Sequence, residues 1–138
     1  MTSTRGSISI EAVLIIPAFL IFLALIAAIG RTAAVQADIH AGVVEGARVA
    51  SQATSSASAE AAAHAAISAH LNRESIQCTT LNITVNAAVL DQPPGHPGQV
   101  RARVSCAVPL ADLMVPGLPG TITITESFTT HIDTYTNR

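Results

Sequence analysis

Residues 12–29 read AVLIIPAFLIFLALIAAI, an unbroken run of 18 apolar residues. As an α-helix that rises about 1.5 Å per residue, this run spans roughly 27 Å, close to the hydrocarbon thickness of a bilayer. Pro17 removes one backbone hydrogen bond and can kink the helix, which membrane helices tolerate. The sequence therefore predicts a transmembrane helix over residues 7–30.

The composition of the 138-residue chain narrows the class of protein. Charged residues make up 12% of the chain, against about 25% in an average soluble domain, and hydrophobic residues make up 49%. The mean hydropathy is +0.47. These values exclude a typical cytosolic protein and a disordered charged tail. All seven basic residues are Arg, the net charge is −2 and there is no Trp, so nucleic acid is not expected as a partner.

The flanks of the apolar run predict its orientation and contain one anomaly. The short polar side that carries Arg5 favours a cytoplasmic N-terminus and an extracytoplasmic C-terminal part in a single-pass protein of the cell membrane. Glu11 directly precedes the apolar run, where an ionised carboxylate is costly, and either marks the membrane boundary or has a function. A signal-peptidase-like site at Val35-Gln36-Ala37 leaves a cleaved secretory signal as an alternative.

The spacing of Gly6 and Glu11 is that of a type IV prepilin leader, in which a short polar segment ends in Gly and Glu is the fifth residue after it. Residues 1–6 are therefore predicted to be a leader that is cut between Gly6 and Ser7. The cut would free a positive amine on Ser7. A carboxylate buried between packed helices needs a partner, and a neighbouring subunit's amine can supply it. Glu11 is accordingly the predicted subunit-assembly residue.

A set of spaced residues in the first third of the chain forms a signature around the apolar run: Arg5-Gly6, Glu11, Pro17, Gly30-Arg31 and Glu45-Gly46-Ala47-Arg48. This signature resembles that of the TadE-like proteins of tight-adherence (Flp) pilus systems. The main pilins of those systems place an aromatic residue after the glutamate, where this chain has Ala12, so the resemblance is to a minor pilin or pseudopilin. It implies a pilin-like fold, with a prepilin peptidase, other pilins or pseudopilins and the pilus assembly platform as partners.

The helical pattern continues beyond the apolar run. Apolar and small residues recur on one face at three- or four-residue spacing: Val35, Ile39, Val43, Gly46 or Ala47, and Ala50. Residues 31–55 are therefore predicted to form an amphipathic stalk helix. Gly42 and Gly46 have the GxxxG spacing that lets helices approach closely, although this pattern is also common by chance.

The remaining residues, 56–138, are predicted to form an extracytoplasmic α+β head. Residues 59–72 are rich in Ala and predict a second, shorter helix, with Ser58 as its cap. Apolar and polar residues then alternate over 81–89, 100–108 and 122–132, which predicts a small antiparallel sheet with one face in water. Glu126 falls on the apolar side of its strand, either at the rim of the core or in contact with a partner.

The two cysteines, Cys78 and Cys106, both lie in the predicted head. A disulfide between them would close a loop of about 28 residues and stabilise the head by roughly 3 kcal/mol. The alternative is a pair of buried free thiols. Neither cysteine has the paired spacing of a zinc site.

The sequence contains no constellation that predicts an active site. The histidines are scattered, without an HExxH motif, and are expected to be exposed polar residues: His40, His64, His70, His96 and His131. No pattern clusters the carboxylates for acid–base chemistry. We therefore expect no enzymatic activity, cofactor, metal site or small-molecule substrate. The two alternatives to a pilus subunit are an uncleaved, membrane-anchored binding module and a small secreted domain.

Overall fold

A computed structural model describes residues 7–93, 97–113 and 119–132, with side chains from residue 13 onward. The chain forms two long helices and one three-stranded sheet, which confirms the predicted α+β class. The elements in chain order are helices α1 (Ser7–Ser51) and α2 (Ser56–Arg73), strand β1 (Thr80–Asn86), a 3-10 turn (Ala88–Asp91), strand β2 (Gly98–Pro109), the one-turn helix α3 (Leu110–Leu113) and strand β3 (Thr121–Ile132).

Helix α1 is 45 residues long and continues through Pro17 without a break. The side chains from Val13 to Ile29 are exposed apart from the half-buried Ala28, whereas the second half of α1 packs against α2 and the sheet. The predicted apolar face is confirmed, because its central members are fully buried: Ile39, Val43, Ala47 and Ala50. The membrane-type segment and the helix that forms part of the head core are thus one continuous element.

Helix α2 begins after a four-residue turn and is capped by Ser55, not by Ser58 as the sequence predicted. The Ser58 backbone N–H donates to Ser55 Oγ at 3.3 Å, and the Ser55 backbone N–H donates to Ser58 Oγ at 3.1 Å. This reciprocal pair is a capping box, which satisfies two backbone donors at the helix start. Ser58 is therefore the third residue inside α2, and the helix starts earlier than predicted.

The sheet has the order β1-β2-β3, and both pairs of strands are antiparallel. Ile83 of β1 lies opposite Val104 of β2, and Cys106 of β2 lies opposite Ile124 of β3. The predicted first strand ends earlier than its alternation suggested. After Asn86 the chain leaves the sheet and forms the 3-10 turn, whose Leu90 side chain is buried in the core.

The core lies between one face of the sheet and the two long helices. Strand β2 supplies every second residue to it: Val100, Ala102, Val104, Cys106 and Val108. Leu113 of α3 is buried at the edge of the core, so the connection from β2 to β3 begins with a helical turn. The opposite face of the sheet is open to solvent.

Candidate functional site

The predicted processing and assembly residues lie at the start of α1. Gly6 lies outside the described residues. Ser7 is the first residue of α1, and Glu11 lies four residues later in the same helix. Residues at this separation are neighbours on one side of an α-helix. The backbone therefore has the arrangement that the proposed pairing between subunits requires, and the pairing itself stays a prediction.

The first half of α1 exposes a continuous apolar surface. All the large apolar side chains between Val13 and Ile29 are 44% to 71% exposed. The helix is long and apolar enough to cross a membrane, and none of its most apolar window is buried within the chain. Exposing an apolar surface of this extent to water is unfavourable. Such surfaces are normally covered by a protein partner or by a membrane.

The predicted helix-signature residues are spread along α1 and form no common site. Pro17 lies in the exposed apolar half of the helix. A Cβ at Gly30 would meet no atom within 4 Å, so packing within this chain does not require glycine there. Arg31 is exposed where α1 reaches the head, and it lines a small cavity of about 100 Å³ together with Asp38 and Glu74.

A polar cluster joins α1 to β3 near this junction. Glu126 Oε1 accepts a hydrogen bond of 2.8 Å from Gln36 Nε2, and Glu126 Oε2 lies 3.1 Å from His40 Nδ1. The His40 ring also meets Phe128 edge-on, with 6.4 Å between ring centroids. The sequence placed Glu126 at the rim of the core or against a partner. Its partner within the described structure is the chain's own α1.

A second polar cluster joins α1 to α2. Glu45 Oε2 lies 3.0 Å from His70 Nδ1 and 3.4 Å from Arg73 Nη2. The prediction that His70 is an exposed polar residue is wrong, since its side chain is only 12% exposed. Its ring covers Gly42, where an added Cβ would lie 3.1 Å from His70 Cδ2. The small residue on α1 makes room for the imidazole of α2.

The GxxxG pair on α1 packs against α2 of the same chain. Gly42 and Gly46 are both buried. A Cβ at Gly46 would lie 2.5 Å from Ile67 Cγ1, and Ile67 is itself fully buried. Glycine at this position therefore lets the two helices approach closely. The spacing predicted a close helix contact, and the structure shows that the contact is intramolecular.

Sequence reasoning did not identify Gln36, His40 and Glu45 as residues that hold the head together. A signal was present, because Gln36 and His40 are four residues apart and border the apolar stripe of α1. Polar residues in that position are placed to meet polar groups at the edge of the core. Their partners on β3 and α2 depend on how the elements cross, which local spacing does not determine.

The predicted disulfide is present. Cys78 and Cys106 are joined, with a sulfur–sulfur distance of 2.01 Å. The bond ties the segment before β1 to the central strand β2, next to the β1–β2 pairing. Cys106 is fully buried, so this half of the bond belongs to the core.

The remaining polar groups in the described ranges form no cluster of metal-ligating side chains. No three His, Cys, Asp or Glu side chains there are grouped so as to hold a metal ion. One carboxyl is perturbed: hydrogen bonding from Ser56, which includes its backbone N–H at 2.9 Å, lowers the pKa of Asp91 below its ordinary value of 3.8. This hydrogen bond satisfies a backbone donor at the start of α2. The positive end of the helix dipole also stabilises the negative charge of Asp91 there.

The geometry thus consists of an exposed apolar helix that is continuous with the core of a small disulfide-bonded head. The TadE-like resemblance rests on the signature residues of the first third of the chain. Comparisons with family models, with curated proteins and with solved structures found no match to this chain.

Proposed function

We propose that this chain is a membrane-anchored minor pilin or pseudopilin of the TadE-like type that takes part in the assembly of tight-adherence (Flp) pili. A prepilin peptidase cuts between Gly6 and Ser7, and the helix that follows anchors the protein in the cell membrane. The head lies outside the membrane and contacts other pilins or pseudopilins and the assembly platform. The protein has no catalytic role in this proposal.

The observation that carries the proposal is the continuity of α1. Its first half presents apolar side chains in all directions, and its second half forms part of the core of the head. An element that is both anchor and core suits an assembly subunit, because the apolar halves of several subunits can pack side by side while their heads project. A display anchor for a binding module does not require this continuity.

Glu11 supplies the specific interaction between subunits. Once the leader is removed, Ser7 carries a free amine four residues before Glu11 in the same helix. A carboxylate in apolar surroundings is costly unless it is paired. Pairing Glu11 of one subunit with the Ser7 amine of the next would remove this cost and set the axial register of the two helices.

The mature N-terminus tests the processing step. We expect mass spectrometry of the protein from its native host to show a start at Ser7, in the membrane or sheared-pilus fraction. A start at Met1 or Thr2 would favour an uncleaved, membrane-anchored binding module. A start at Asp38 in the medium would show a secreted domain. That cut would remove Gln36, which is hydrogen bonded to Glu126 of the head.

A matched pair of variants tests the assembly step. We expect Glu11→Gln to insert in the membrane at the wild-type level but to lose co-purification with other pilus subunits. Glu60→Gln, which removes the same charge from an exposed position on α2, should assemble normally. Normal co-assembly of Glu11→Gln would contradict the proposed role of Glu11.

A further inference from the structure

The sheet face that points away from the helices is mostly polar. Nine residues in three neighbouring cross-strand rows of this face are the set that we call the polar face: Asn82, Thr84, Asn86, Arg101, Arg103, Ser105, Thr125, Ser127 and Thr129. The residues between them on each strand point into the core, as the alternating burial of β2 shows. The polar face contains no carboxylate and no aromatic or large aliphatic side chain.

Two arginines lie at the centre of the polar face. Arg101 and Arg103 are two residues apart on β2, so they project on the same side with roughly 7 Å between their Cα atoms. Arg103 lies between Thr84 and Ser127. Arg101 donates from Nε to Thr129 Oγ1 at 3.1 Å. Among the described residues, no carboxylate is within ion-pairing distance of either guanidinium. In a chain of net charge −2, this face is locally cationic.

Two shallow depressions lie side by side on this surface and share Arg103 and Thr84. One, of about 350 Å³, is also lined by Asn82, Ser105 and Thr125. The other, of about 320 Å³, is also lined by Arg101, Asn86 and the half-buried Val85. Each depression therefore combines an arginine with hydroxyl or amide groups. The two depressions share an arginine and together offer adjoining cationic and hydrogen-bonding contacts to an extended anionic ligand.

We infer that the polar face binds an acidic polysaccharide, with Arg101 and Arg103 contacting sugar carboxylates and the Thr, Ser and Asn side chains bonding sugar hydroxyls. Guanidinium groups bind carboxylates through paired, charge-assisted hydrogen bonds. This inference goes beyond the proposed function and holds whether or not the leader is cleaved. It requires only that the head faces the outside.

The composition of the polar face argues against other classes of macromolecule. Protein interfaces are built around buried aromatic or apolar anchors, and this face has none. Single-stranded nucleic acid is bound through aromatic stacking together with a charged groove, and duplex binding relies on many phosphate contacts. Two arginines on an aromatic-free surface provide neither. A hydrated, hydroxyl-rich polyanion needs only ionic and hydrogen-bonding contacts.

Binding is tested on the full-length protein in lipid nanodiscs, by isothermal titration calorimetry at low salt. Polygalacturonate is the probe, neutral dextran is the uncharged polymer control, and poly-L-glutamate is the acidic peptide control. We expect polygalacturonate to bind, dextran not to bind and poly-L-glutamate to bind more weakly. Added salt should weaken polygalacturonate binding, because the contacts are exposed to solvent. Absence of polygalacturonate binding would overturn the inference.

Substitutions of single arginines separate a specific site from general charge. Arg103→Gln should weaken polygalacturonate binding by about tenfold, since Arg103 lines both depressions. Arg48→Gln removes the same charge from an exposed position on α1 and should leave binding unchanged. Both positions are exposed, so the thermal unfolding of each variant should match the wild type. Equal loss in the two variants would overturn the inference.

The double variant Thr84→Val and Thr125→Val tests recognition of the sugar hydroxyls. It removes two hydroxyls from the first depression and one from the second while keeping charge, size and β-branching. We expect it to weaken polygalacturonate binding and to leave poly-L-glutamate binding unchanged. Tighter binding of poly-L-glutamate than of polygalacturonate, with the same dependence on Arg103, would show that the face binds an acidic protein instead.

Discussion

Glu126 on β3 accepts a hydrogen bond of 2.8 Å from Gln36 on α1, which lies 90 residues earlier in the chain. The Glu126 side chain is only 18% exposed, and its second carboxylate oxygen lies 3.1 Å from His40 Nδ1. Both oxygens are thus satisfied by α1. The contact fixes β3 to α1 close to the point where the helix leaves the head.

Loss of this contact should loosen the head. We expect Glu126→Ala to lower the free energy of unfolding by about 0.5–1.5 kcal/mol, because it removes the hydrogen bond from Gln36 and the contact with His40. Chemical denaturation of the full-length protein in detergent, followed by far-UV circular dichroism, measures this change. Glu60→Ala, at an exposed position on α2, should change the free energy of unfolding by less than about 0.5 kcal/mol.

A double-mutant cycle with Gln36→Ala isolates the Gln36–Glu126 interaction. Groups in direct contact have interaction energies of about 0.5 kcal/mol or more. The loss of unfolding free energy in the double variant should therefore be smaller than the sum of the losses in the two single variants. Strict additivity of the two costs would show that the hydrogen bond contributes nothing to stability.

The close packing of α1 on α2 makes Gly46 sensitive to substitution. Gly46→Ala places a Cβ 2.5 Å from Ile67 Cγ1 in a filled core, and we expect a cost of about 1–3 kcal/mol. Gly30→Ala is the matched control on the same helix. Its Cβ would meet nothing within 4 Å, so the gain in helix propensity should leave stability equal or higher. Equal effects of the two variants on the unfolding midpoint would contradict the packing argument.

The Cys78–Cys106 bond should contribute strongly to the stability of so small a head. With a sequence separation of 28 between the cysteines, the chain-entropy relation gives a contribution of about 3–4 kcal/mol. Reduction by dithiothreitol should lower the denaturation midpoint accordingly, and the variant Cys78→Ala/Cys106→Ala should be insensitive to reductant. An unchanged midpoint in protein whose thiols are shown by labelling to be free would contradict this prediction.

The interaction of Asp91 with the start of α2 should make stability depend on pH. Its pKa is lowered in the folded state, so the ionised carboxylate stabilises the fold above pH 3.8, and this contribution is lost as the pH falls through the folded-state pKa. Asp91→Asn should lower the Tm at neutral pH, and its curve should converge with that of the wild type at low pH. Parallel Tm curves would contradict the prediction. Asp112→Asn is the control at another exposed carboxyl.

The local periodicities of the sequence were sufficient to predict the architecture. The apolar stripe from Val35 to Ala50 and the three alternating strands follow from patterns of near neighbours, and the structure confirms them. Each of these features depends on which face of an element is apolar. That property is encoded residue by residue, so it can be read without knowing how the elements cross.

The incorrect or incomplete predictions concern places where two local patterns compete or where the partner is distant. Ser55 and Ser58 can each cap a helix, and the reciprocal bonds of the capping box favour Ser55. His70 is polar, yet the absence of a side chain at Gly42 gives its ring a covered position. The partner of Glu126 is on α1, 90 residues away, and is determined by the packing angle between helix and sheet.

The unbroken helix α1 also determines how the protein responds to mechanical load. No hinge or flexible linker separates its exposed apolar half from the residues buried in the head, such as Ile39 and Ala47. Tension along the helix axis is therefore carried as shear by the contacts of α1 with α2 and β3. The Glu126 and Glu45 clusters lie in this load path. A pull on the anchor therefore acts directly on the core of the head.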